Sequence, residues 1–360
     1  MKKLFAGIIS MMCLAACVHA AVSNIQAVDH KGKVYVTFTE ESGSGKTYKV
    51  YRSTSKITNV AGMTPIATLN DKSNRDPYHD WQHIIEDGGS SLSDSTGLFV
   101  YTPKSNKNAY YAVTTVTNGV ENTTIVLSQN SMNTAVAEKY QKWPAAIYRG
   151  IMNANGVDVE VYYYWMDYAD WNHAAAYYGN YFSARYPSSL QGQQNNILVT
   201  DLHSAGGASD PGKVVLPPNV SGAVIIGTSD TYRNNSAYGK LESSWKGYSN
   251  HFGEHEPQAG DVAVMYTEMR VAHYTQAVIN NPHFGIDPNR VYLRGSSMGG
   301  GGTAYIGLHF SDIWAACRAN GASFNQGSSQ PRDWSMLEKS PTLVPGISSG
   351  TYKFWGDRDL

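Results

Sequence analysis

The chain has 360 residues, with 28 Lys plus Arg against 29 Asp plus Glu and a formal net charge of −1. That length holds two domains with cores of their own, and so even a charge balance excludes the long basic surface that nucleic acid requires. The 3 cysteines exclude a scaffold built on disulfides, while the 25 tyrosines and 8 tryptophans supply either ordinary sheet core or an aromatic platform for a flat or polymeric substrate.

The N-terminus reads as an export signal over residues 1–20: Lys2 and Lys3, an apolar run from Leu4 to Met12, then small residues, too short for a membrane span. Two processing sites compete. Leu14-Ala15-Ala16-Cys17 fits a lipoprotein box that makes Cys17 the acylated first residue and anchors the protein to the outer membrane. Val18-His19-Ala20 before Ala21 fits ordinary cleavage and a secreted or periplasmic protein. Either removes Cys13, and Cys317 keeps no partner within the chain unless Cys17 stays a thiol.

Residues 21–128 read as all-β. Val34, Val36 and Phe38 alternate with Tyr35 and Thr37; Tyr48, Val50 and Tyr51 mark a second strand; Tyr111, Val113 and Val116 mark a third, and Asn118-Gly119 turns it into a hairpin. The stretches TYKVYRST and YYAVTTVTNGVE resemble fibronectin type III or related immunoglobulin-like sandwiches, with residues 54–96 as an insertion. The resemblance implies a spacing, orienting or binding role. Ser42-Gly43-Ser44-Gly45-Lys46-Thr47 imitates a phosphate loop, but its first glycine would fall at Glu40 and no helix follows, so it reads as a hairpin turn. His79 with His83, and His251 with His255, have the spacing of metal ligands on a helix, yet neither pair has an obvious third ligand; both read as solvated surface.

A polar linker is expected over 129–145, and then the pattern changes to strands alternating with helices. Val157–Trp165, Asn196–Asp201 and Gly222–Gly227 are apolar strand runs; 261–280 has helical spacing through Val264, Met265, Met269, Ala272 and Val278; Trp314–Ala319 is a further strand. This order implies a mostly parallel sheet flanked by helices. At its centre Asn289–Arg294 runs into Gly295-Ser296-Ser297-Met298-Gly299 and then a helical stretch. Gly295 and Gly299 allow a sharp strand-to-helix turn that exposes a serine at a helix N-terminus, so Ser297 is the candidate nucleophile. A second copy of the pattern, Gly346–Gly350, follows Pro341 and Pro345 with no strand before it and reads as a loop.

From residue 146 to 360 the chain resembles the α/β-hydrolase superfamily, in particular secreted esterases and depolymerases of the esterase D and polyhydroxybutyrate depolymerase type. The run IDPNRVYLRGSSMGGGGTAYIGLHFSDIWAA carries the resemblance, and its glycine-rich elbow is similar to those of cutinase-like polyester hydrolases. The resemblance implies an exported serine carboxylesterase acting on a polyester, an acylated polysaccharide or another bulky ester, with no metal or organic cofactor. It implies oxyanion donors at the N–H of Met298 and of Ala205, with Ser204 as the alternate, and His203 as a brace for their loop. Asp359 fits the triad acid, with Asp357 as the alternate. All 11 histidines precede Asp359, so the triad base is expected to be absent from these residues, the hydrolase unit incomplete at its C-terminus, and turnover low. Trp334, Trp165 and Tyr168 are candidates for a substrate groove, with simple packing as the competing reading. The rival functions are a serine peptidase of the prolyl-oligopeptidase type and a non-catalytic surface binding protein.

Overall fold

The computed structural model describes residues 22–76, 81–154, 156–167, 179–205, 222–230, 233–235, 239–241, 245, 248–249, 263–264 and 266–322. Cys17, Tyr168, His79, His251, His255, Trp334, Asp357, Asp359 and the second glycine-serine pattern lie outside them.

Two antiparallel sheets form the N-terminal part. The first orders β1 (Ser23–His30), β2 (Lys33–Thr39) and β7 (Thr96–Tyr101) side by side; the second orders β10 (Val136–Glu138), β8 (Lys107–Thr117), β3 (Lys46–Ser53) and β4 (Ala67–Asn70), with β9 (Val120–Asn122) also on β8. Short β5 (Arg75–Asp76) and β6 (Trp81–Gln82) pair with each other. Asn118 and Gly119 carry φ of 51° and 79°, the two positive values that a two-residue turn needs to match strand twist, so the expected hairpin forms between β8 and β9. Val36, Phe38, Tyr48, Val50 and Tyr111 fill the space between the sheets, the rings of Phe38 and Tyr48 lying 5.2 Å apart.

Two sequence expectations change here. Residues 129–145 are not only a polar connection, because β10 pairs with β8 through Val136–Glu138. Residues 54–96 hold β4, a full partner of β3, as well as inserted loops. Tyr35, on the opposite face of β2 from Val36 and Phe38, is 1% exposed. Its face of the first sheet packs on the second part of the molecule, where Tyr35, Leu98 and Val100 meet Ile147, Tyr163 and Trp165.

That second part is built on a seven-stranded sheet, ordered β11 (Ile147–Ala154), β12 (Val157–Trp165), β13 (Gly179–Arg185), β15 (Ala223–Thr228), β14 (Asn196–Leu202), β20 (Ile286–Ser296) and β21 (Ala316–Asn320). The first three strands meander antiparallel, and the last four are mutually parallel. β15 is buried along its whole length, as expected of a parallel strand covered on both faces. Four short strands, β16 (Arg233–Asn235), β17 (Gly239–Leu241), β18 (Tyr248–Ser249) and β19 (Ala263–Val264), form two antiparallel pairs. The helix expected over 261–280 therefore starts later, as α1 (Tyr266–Ile279), with Ala263 and Val264 in a strand.

The helix α2 (Met298–His309) follows the elbow directly. Thr275 of α1 bonds Thr200, and Gly307 of α2 lies against Cys317; Thr200, Leu293 and Cys317 are register partners, so both helices cover one face of the sheet. The chain leaves β14 toward β15 on one side and β20 toward β21 on the other. That reversal opens a crevice at the carboxyl ends of β14 and β20, where ligands of open α/β sheets bind.

Candidate active site

Ser297 is the single residue between β20 and α2. Its backbone has φ 55° and ψ −118°, a conformation that costs an L-residue about 1–3 kcal/mol and persists only where the surroundings impose it. The surroundings do so by close approach. A Cβ on Gly295 would stand 2.2 Å from the Gly299 oxygen, and one on Gly299 would stand 2.1 Å from the Leu202 oxygen and 2.7 Å from that of His203. The start of α2 is thereby pressed onto the end of β14. On the side of β21 the Ser297 N–H donates to the Asn320 oxygen at 2.9 Å, and the Gly301 N–H donates to the Ser297 oxygen at 3.0 Å. The Ser297 hydroxyl is exposed and, among the described residues, has no hydrogen-bond partner.

Residues 202–205 form a strap beside the elbow. His203 holds it from both nitrogens: the Asp230 N–H donates to Nε2 at 2.9 Å, so the proton sits on Nδ1, which donates to the Ser204 oxygen at 2.8 Å. Ser204 Oγ donates to the Ser296 oxygen at 2.8 Å, tying strap to elbow. The expectation that His203 braces this loop matches its geometry. Ser204, the alternate oxyanion donor, has its hydroxyl committed to Ser296. Neither the Met298 nor the Ala205 N–H has an acceptor among the described residues; Met298 opens α2 directly after Ser297, and Ala205 lines the crevice beside the elbow.

Trp245 is a part of the site that the sequence pattern did not disclose. Fully buried, it donates from Nε1 to the His203 oxygen at 2.9 Å, stacks edge-on against the imidazole, and its Cβ occupies the space a side chain at Gly302 would need. No local motif marks it, since its partners are 42 and 57 residues away.

Other expected members of the site fall elsewhere. Trp165 is buried against Tyr35, 5.4 Å between ring centroids, and lies four strands from β20, roughly 19 Å at ordinary strand spacing, so it packs the core. His83, read as surface, is 1% exposed between Tyr163 and Trp165. His309 bonds the buried Glu268 at 2.5 Å, joining α2 to α1 and not reaching for Ser297. Among the described residues no three His, Cys, Asp or Glu side chains cluster as metal ligands, and no helix is long and apolar enough to cross a membrane.

Below the strap, Arg294 Nε donates to Asp201 Oδ1 at 2.5 Å between β20 and β14. Burial raises the Asp201 carboxyl above its ordinary range, and Arg294 pulls against that rise.

The strand order with its reversal, and the strained serine between β20 and α2, resemble the α/β-hydrolase fold. No family model matches the chain, and no curated protein matches it. Among solved structures it is similar to an S-formylglutathione hydrolase from Agrobacterium tumefaciens (18% identity, 47% of this chain and 60% of that one, TM-score 0.30). It is also similar to an acetyl xylan esterase from Aspergillus awamori (17% identity, 57% and 69%, TM-score 0.28) and a glucuronoyl esterase from Solibacter usitatus (13% identity, 57% and 60%, TM-score 0.32). The chain thus spans less than two thirds of the length of the first of these.

Proposed function

We propose that the chain is an exported serine carboxylic-ester hydrolase whose substrate is a polymeric or otherwise bulky ester. The observation that supports this most is the exposed serine held at a left-handed backbone angle at the crevice of the parallel sheet, beside two unspent backbone N–H groups. In the proposed reaction Ser297 Oγ attacks the ester carbonyl carbon. The oxygen that becomes negative is held by the N–H groups of Met298 and Ala205, the alcohol leaves, and water releases the acyl group from Ser297. Asp359, with Asp357 as alternate, is assigned the acid. The general base is unassigned, because no described histidine bonds Ser297.

The test is covalent labelling. A neutral fluorophosphonate is expected to leave one adduct, on Ser297 by peptide mass spectrometry, and none on Ser297→Ala; an adduct elsewhere, or no adduct after prolonged incubation, would overturn the assignment. The sandwich, which resembles fibronectin type III modules, is assigned a supporting role because its outer face is spent on β11 and β12. Export is proposed through the N-terminal signal, and the first residue of the mature protein, Cys17 or Ala21, distinguishes a lipid-anchored from a released form.

A further inference from the structure

A cavity of about 490 Å³ opens beside the elbow, on the sheet face opposite α1 and α2. Its rim includes Ser204, Ala205 and Asn320, and its floor is charged, formed by Asp201, Arg294 and Arg318. Those three are register partners on adjacent parallel strands, so their side chains leave the sheet in one row. An esterase pocket for a plain aliphatic acyl chain would be lined with apolar groups at this depth.

The charges in the row do not cancel. Arg294 is neutralised by Asp201, while Arg318 is exposed and has no carboxylate partner among the described residues. His203 adds nothing, since both its nitrogens are engaged in the strap. Among the described residues one positive charge remains, beside a second guanidinium that repels it, and an anion seated there relieves that repulsion. A guanidinium offers two parallel N–H groups that match the two oxygens of a carboxylate. The distance also suits a substrate. Arg318 precedes Asn320 by two residues, about 7 Å along the strand, and the Asn320 oxygen receives the Ser297 N–H. An extended arginine side chain covers that span.

We propose that this cavity binds a carboxylate carried by the substrate close to the scissile ester, with Arg318 as its partner, so that acidic esters are selected over neutral ones of the same size. This rests on Ser297 as the nucleophile, and its selectivity resides in Arg318. A monoanion matches the single residual charge better than a dianion does.

The experiment measures protection of Ser297 from the neutral fluorophosphonate by monomethyl succinate, and by dimethyl succinate as its uncharged counterpart. In the wild-type chain monomethyl succinate is expected to protect at about tenfold lower concentration, the scale of one charge-assisted hydrogen-bonded pair. Arg318→Met should abolish the difference and Arg318→Lys should keep part of it, with thermal melts confirming that both variants fold. Equal protection by the two esters, a preference that survives Arg318→Met, or equal protection by inorganic phosphate would overturn the proposal. If Ser297 takes no label at all, the nucleophile assignment fails instead. Calorimetric titration of monomethyl succinate then decides the cavity alone: heat lost in Arg318→Met upholds it, and no heat with the wild-type chain refutes it.

Discussion

At Gly299 the elbow and the strap meet with no room between them. A methyl group there would collide with two backbone oxygens, which cannot swing aside as a flexible side chain would. Gly299→Ala is therefore expected to lower stability by about 2 kcal/mol or more and to abolish fluorophosphonate labelling, measured by thermal melt and by mass spectrometry. Ser204→Ala removes one hydrogen bond, to the Ser296 oxygen, at a cost of about 1 kcal/mol; because that bond fixes Ala205, labelling of Ser297 should slow by more than the loss of stability accounts for. An unchanged labelling rate would show that Ala205 is positioned by other means. Ser297→Gly should raise the melting temperature, since glycine accepts φ 55° without strain, while eliminating the label. The elbow that carries Ser297 was legible in the sequence because its demands are local: a strand, two glycines and a helix within 24 residues. The role of Trp245 was not, because it is defined by His203 and Gly302, which only the folded chain brings near.

Among the elements, the strands with one apolar face were readable by alternation, and β12 was placed to the residue from its three valines and the aromatic run that follows them. β10 was not, because Val136-Ala137-Glu138 reverses the usual rule: Glu138 is the buried residue and Ala137 the exposed one. The carboxylate is held inside by Arg52, through Nε at 2.7 Å and a second donor, and by the Tyr111 hydroxyl at 2.6 Å. Glu138→Ala leaves that guanidinium half-buried without its counter-charge, and a loss of about 3 kcal/mol is expected in chemical denaturation. A change below about 0.5 kcal/mol, the size of an exposed pair, would mean that β10 is only a surface strand. The antiparallel start of the second sheet was also missed: β13 pairs antiparallel with both β12 and β15, so the expectation of a mostly parallel sheet had no place for it.

For the whole molecule, the decisive feature is the double burial of the first sheet. One face of β2 fills the sandwich through Val36 and Phe38, and the other meets Trp165 and Tyr163 through Tyr35. Polar ties run alongside: Lys31 bonds Asp87 at 2.5 Å and the Ala146 oxygen at 3.2 Å, and the Tyr148 N–H donates to Asp87 at 2.9 Å. Calorimetry is expected to show one unfolding transition for both parts, and Tyr35→Ala, which empties the contact, should lower that transition by about 3 kcal/mol. Two separated transitions in the wild-type chain would contradict a shared core.

A unit that moves between genes by recombination must carry a finished surface with it. The sandwich would arrive in a new host with Tyr35, Leu98 and Val100 laid bare across one sheet, an adhesive patch awaiting a partner it had left behind. Its lineage is thereby bound to that of the serine-bearing sheet, and the two are expected to be inherited, duplicated and lost as a single gene segment.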